Sequence, residues 1–117
     1  MNLSYDIKLE KPVVIFNLKG KITSELDYEE LEKEVFSNLN QNNHYVIFDL
    51  GELTHTNSSG IAFFMKTLTK CRILGGDLIL INVTGNVKKV FEIAKLNEVY
   101  TIFENEEDAI NHFKTLQ

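Results

Sequence analysis

The sequence predicts an α/β domain: a mixed, mostly parallel β-sheet of about five strands with four helices and an N-terminal β-hairpin. Three observations carry that expectation. Short β-branched and apolar runs, Val13–Leu18, His44–Leu50 and Asp77–Val83, read as strands, and the last two are apolar enough to be buried on both faces. Stretches with apolar residues every three or four positions separate them, as amphipathic helices require. The predicted order, β-β-α-β-α-β-α-β-α, is the alternation that builds parallel sheets.

In chain order, Leu3–Glu10 alternates weakly and reads as an edge strand, and Lys11-Pro12 turns it into Val13–Leu18, which ends at Gly20. Ser24, with Asp27 three residues on, resembles a capping box for a helix carrying Tyr28, Leu31, Val35 and Leu39 on one side. Glu25, Glu29, Glu30, Glu32 and Glu34 point around that helix rather than to one centre, so they read as a solvated face and not as a metal site. Asn40–Asn43 ends it. After the strand His44–Leu50 comes a polar loop, Thr54-His55-Thr56-Asn57-Ser58-Ser59-Gly60, and then a helix with Ile61, Phe64, Met65, Leu68 and Arg72 or Cys71 as its stripe. Phe63 falls off that stripe, and reads either as a partner contact or as a ring packed under a neighbouring segment. Gly75-Gly76 stops the helix before the strand Asp77–Val83. Thr84-Gly85-Asn86 leads to a helix with Val87, Val90, Phe91 and Ala94 on one face and a stop at Asn97. Val99–Phe103 is a short last strand, and Asn105 caps a final helix that buries Ala109, Ile110, Phe113 and Leu116.

The chain has 117 residues, 44% hydrophobic and 25% charged, which suits a single domain over 1–117. The net charge is −5 without a basic cluster, which argues against nucleic acid and fits a protein that meets other proteins. The N-terminus has neither the basic nor the apolar region of a signal peptide, and no run reaches the ~18 apolar residues of a membrane span. Cys71 is the only cysteine, reads as a buried structural thiol, and suits a reducing, cytoplasmic setting without direct membrane insertion.

The motifs of catalysis are missing. His44, His55 and His112 form no H-x-x-H pair, and there is no Walker or dinucleotide-binding glycine pattern. A serine activated by His55 has no orienting acid nearby in sequence and lacks the G-x-S-x-G elbow. The expectation is no enzyme, no catalytic residue, no metal and no cofactor. The loop before the second helix has a different use. Hydroxyls of Thr56, Ser58 and Ser59 and the carboxamide of Asn57 gather where a helix leaves its first N–H groups unpaired. A hydroxyl there is either a cap or a phosphate carrier, because the helix N-terminus favours negative charge.

These residues carry a resemblance. Val46–Leu50, then Asn57-Ser58-Ser59-Gly60-Ile61, then Gly75-Gly76-Asp77-Leu78-Ile79-Leu80 resemble the STAS-domain proteins, and within them the bacterial anti-sigma-factor antagonists. Val87–Phe91 and Glu106–Ala109 extend the likeness over nearly the whole chain. The resemblance implies a non-catalytic domain that binds an anti-sigma factor doubling as a serine kinase and thereby frees the sigma factor. It implies that the kinase phosphorylates the serine after the motif's Asp, here Ser58, and that a PP2C-type phosphatase reverses this. Asn57, Ser58, Ser59, Gly60 and Phe63 are then the expected partner-binding rim. The family's Asp is Asn57 in this chain, which removes one negative charge. It leaves open a second reading, an unphosphorylated STAS scaffold or regulatory subunit of another assembly such as a lipid-transport complex.

Overall fold

The computed structural model describes residues 2–116. Five strands form one sheet in the order β1-β2-β3-β4-β5: β1 (Leu3–Glu10), β2 (Val13–Ile22), β3 (Tyr45–Thr56), β4 (Asp77–Ile81) and β5 (Thr101–Phe103). β1 and β2 are an antiparallel hairpin, and every later pairing is parallel. Helices α1 (Glu25–Asn38), α2 (Ser58–Ile73) and α3 (Gly85–Ile93) connect the parallel strands, and α4 (Glu106–Lys114) closes the described chain.

The two-residue period of the strands sorts side chains into two cores. Val14, Phe16, Leu18, Val46, Phe48, Leu50, Leu78 and Leu80 face one way and are covered by Tyr28, Leu31 and Val35 of α1, Phe63, Phe64, Leu68 and Cys71 of α2, and Val87 and Phe91 of α3. Val13, Ile15, Ile47, Ile79 and Ile81 face the other way, against Ala109 and Phe113 of α4. Three helices therefore cover one face and a single helix covers the other.

Several details depart from the expectation. β3 runs six residues past Leu50. Its pairing with β4 stops at Asp49↔Ile81, but β2 and β3 stay paired out to Ile22↔Thr56 through two register shifts, at each of which β3 spends one residue more than β2. α3 ends at Ile93 rather than running to Asn97: Lys95, two residues on, adopts the left-handed conformation (φ 56°), and a single 3-10 turn, Leu96–Glu98, follows. Ala94 is exposed, Val90 is only half-buried, and Leu116 is 51% exposed rather than buried. Ser24 does hold the N-cap position of α1, yet its side chain makes no capping bond. The reciprocal half of the box is present in shifted form: the Asp27 carboxylate accepts from the Thr23 backbone N–H (2.9 Å) and hydroxyl (3.1 Å). The Thr23 N–H, before any other influence, holds the Asp27 carboxyl below its ordinary value of 3.8.

Candidate partner-docking site at the start of α2

The polar stretch after Leu50 is mostly strand. Thr54 and Thr56 belong to β3, and their hydroxyls donate to β2 carbonyls, Thr54 Oγ1 to Gly20 O and Thr56 Oγ1 to Ile22 O, both at 3.0 Å. One residue, Asn57, joins β3 to α2. Its backbone is extended (φ −148°, ψ −163°), as an N-cap requires.

Asn57 uses both ends of its carboxamide. Oδ1 accepts from the Ser59 N–H at 2.9 Å and so caps α2, while Nδ2 donates to Thr23 O at 2.9 Å and ties α2 to the connection between β2 and α1. An aspartate supplies the first bond but has no donor for the second. The residue that departs from the STAS pattern thus has a contact of its own, and two helix starts are clamped side by side.

Ser58 is the first residue of α2. It is exposed, and among the described residues no hydrogen bond holds its hydroxyl. Ser59 is half-buried. The first turn contains no acidic residue, so the positive end of the helix dipole is unopposed there. Leu26, in the first turn of α1, is 81% exposed, an apolar side chain that sequence periodicity does not single out.

Two members of the expected rim lie underneath it. Gly60 is buried, and a Cβ at that position would run into Thr56 Oγ1 and crowd Ile22 O. Its role is the close approach of α2 to the ends of β2 and β3. Phe63 is fully buried, so its ring presents no surface at the rim. It stacks on Tyr28 of α1 (centroids 4.8 Å apart) and on Phe48 of β3 (5.7 Å). Of its two sequence readings, packing under a neighbour is the one realised. The buried stripe of α2 is Gly60, Phe63, Phe64, Thr67, Leu68 and Cys71, so it is rotated away from Ile61 and Met65. The turn rests on Thr67, whose hydroxyl donates to Phe63 O (3.0 Å) and can therefore be buried without loss. A Lys66–Glu32 ion pair at 3.0 Å, with Lys66 also 5.7 Å from the Tyr28 ring centre, joins α2 to α1 at the surface.

The alternative chemistry finds no support in the geometry. His55 is exposed and its Nδ1 lies 2.9 Å from Thr54 Oγ1, not beside a serine. Cys71 is buried, and burial pushes its thiol up to about 12, so it is not a thiolate nucleophile near neutral pH. Among the described residues no group of three or more His, Cys, Asp or Glu side chains converges as metal ligands, and no helix is long and apolar enough to cross a membrane.

A mixed five-stranded sheet with this helix placement, and a serine on the first residue of the Asn57-capped helix after its third strand, is the arrangement of a STAS-type domain. The chain belongs to the STAS-domain family, whose profile matches residues 4–109. Among curated proteins it is similar to BtrV of Bordetella bronchiseptica, named as a candidate anti-sigma factor antagonist. The two are 28% identical over 103 residues, covering 88% of each chain. Among solved structures it resembles an anti-sigma factor antagonist from Mycobacterium paratuberculosis, with TM-score 0.82, 13% identity, and coverage of 96% of this chain and 94% of that one. It also resembles the Bacillus cell fate determinant SpoIIAA in its phosphorylated form, with TM-score 0.72, 20% identity, and coverage of 93% and 98%. At these identities the structural likenesses establish the fold.

Proposed function

We propose that this chain is a cytoplasmic, non-catalytic anti-sigma-factor antagonist. The start of α2 docks on an anti-sigma factor, and phosphorylation of Ser58 turns the docking off. The observation that carries this reading is Ser58 itself: an exposed, uncommitted hydroxyl on the first residue of a helix whose first turn lacks negative charge. The named role of BtrV, and a phosphorylated form of a protein with this fold, support it.

The docking rim is Asn57, Ser58 and the exposed part of Ser59, extended by Leu26 on α1. Gly60 and Phe63 hold the rim from below. In the modifying step, a partner kinase transfers the γ-phosphoryl group of ATP to Ser58 Oγ as the β–γ anhydride bond breaks and ADP leaves, and the hydroxyl proton goes to a base on the kinase. The free N–H groups of α2 then solvate the phosphate, so the domain stays folded while an apolar or acidic partner surface rejects the added charge. A PP2C-type phosphatase restores the docking form. Asn57 fits this scheme because the catalytic base and metal belong to the kinase, while Asn57 keeps the helix starts together.

The test is intact-mass analysis of the chain purified from its own host, with peptide mapping across residues 46–66. The reading expects a phosphate on Ser58 in one growth state and capture of an anti-sigma factor only by the unmodified form. A loop that stays unmodified while the kinase is active, with a partner bound throughout, replaces it with the constitutive STAS subunit.

A further inference from the structure

β1 is an open edge of the sheet. Its residues Asp6 to Glu10 are all exposed, and Ile7 and Leu9, on the side facing α1–α3, are 42% and 54% accessible. Apolar side chains on an unpaired edge invite another strand, and proteins commonly guard such edges with charge. Here Asp6 and Lys8 flank Ile7 with opposite signs, and that pattern is self-complementary.

Two copies related by a two-fold axis perpendicular to the sheet pair antiparallel with the same face up, and because opposed residues share a face, the axis must lie where one residue of β1 faces its own copy. Three axes lie near the middle of the strand. An axis at Asp6 sets that carboxylate against the partner's Asp6. An axis at Lys8 sets ammonium against ammonium and Asp6 against the partner's Glu10. An axis at Ile7 sets Asp6 against the partner's Lys8 and Lys8 against the partner's Asp6. On the opposite face it places Ile7 on the partner's Ile7 and Tyr5 on the partner's Leu9. Opposite charges and aromatic–aliphatic pairs across strands stabilise a sheet, and like charges oppose it. The existing partners of these charges, Lys19 for Asp6 (3.0 Å) and Glu106 for Lys8 (2.7 Å), are surface ion pairs of small strength that leave room for sharing.

We infer that the β1 edge is a homodimerisation surface, on which a second copy of this chain adds its own β1 antiparallel about Ile7 to give one continuous ten-stranded sheet. Ser58 sits at the end of β3, two strands inward, so the dimer carries two docking sites. The inference does not depend on what those sites bind.

Sedimentation equilibrium of the full chain over a wide concentration range tests it. The wild type should show a monomer–dimer equilibrium. K8D, which sets carboxylates against carboxylates at both symmetric positions, should dimerise roughly ten-fold more weakly. The swapped double variant D6K/K8D should recover wild-type dimerisation. Both variants lose the Lys8–Glu106 pair, so recovery reports pairing between copies and not folding, which thermal melts monitor separately. A chain that stays monomeric at millimolar concentration overturns the inference. So does a dimer indifferent to these substitutions, which would place the contact on another face.

Discussion

Two helices of this protein begin in the same way and then diverge. α2 starts at Asn57 and α4 at Asn105, both extended, and both accept a helix N–H on the side-chain oxygen at 2.9 Å, from Ser59 and from Asp108. The first turn of α4 then carries Glu106, Glu107 and Asp108, so its dipole is already answered. The first turn of α2 carries Ser58, Ser59 and Gly60 and no charge. Three residues past the cap the contrast is sharpest. α4 has exposed Asp108, whereas α2 has buried Gly60, because Thr56 and Ile22 O occupy the space where a side chain would begin. A helix start that carries its own carboxylates is finished. One that is capped but uncharged, one residue from the end of a strand, still has the positive end of its dipole unanswered.

Substitutions can break that comparison. The largest effect should come from below the site: Phe63→Ala removes a ring packed between Tyr28 and Phe48 and should cost about 3–5 kcal/mol in denaturant unfolding. Partner affinity per folded molecule should change little, and a selective loss of affinity would return Phe63 to the contact surface. Gly60→Val should cost about 1–3 kcal/mol by overpacking against Thr56 and Ile22, while Asp108→Gly, at the matching position of α4, should cost less. If the two costs are equal, the close approach at α2 is not a constraint. Asn57→Ala and Asn105→Ala should each cost about 1 kcal/mol as lost caps. The Asn57 variant should lose more, because its second bond reaches Thr23 O beside another helix start, whereas the second bond of Asn105 goes to Asp108 within its own exposed first turn.

Ser58→Asp should sit at the far end of the stability scale, within about 0.5 kcal/mol of wild type, and should still abolish docking in a pull-down or calorimetric titration. Unfolding of that variant would show that the start of α2 does not accept charge. The smallest effect concerns pH. Asp27 has a folded pKa below its ordinary value of 3.8, so its contribution to the α1 start is present above that value and fades as pH falls through the lower, folded one. A series of melting temperatures against pH should therefore fall on the acid side, and Asp27→Asn should flatten that limb.

The strands and helices were legible because their signals are local. β1, the buried core residues of α1, the Asn105 cap and the burial of Cys71 follow from alternation, helical spacing and cap chemistry within a few residues. The loop sequence also announced a helix start rich in hydroxyls. Its division of labour was not legible, since Thr54, Thr56, Ser58 and Ser59 look alike in sequence. Thr54 and Thr56 are spent on carbonyls of β2, thirty-four residues earlier in the chain, and only Ser58 is left exposed with a free hydroxyl.

The sequence by itself determined an α/β chain with an N-terminal hairpin and a capped, uncharged helix start after its third strand. It did so because period, caps and turn residues act over one or two turns of chain. Tertiary structure decided which way α2 is rolled, and with it whether Phe63 faces a partner or Tyr28. It also decided that β3 continues to Thr56 and that Asn57 holds two helix starts at once. Each of these depends on pairing with a segment distant in sequence. A satisfied hydroxyl such as that of Thr67 can enter a core, and a polar strand can persist, only when the bonding partner is already in place.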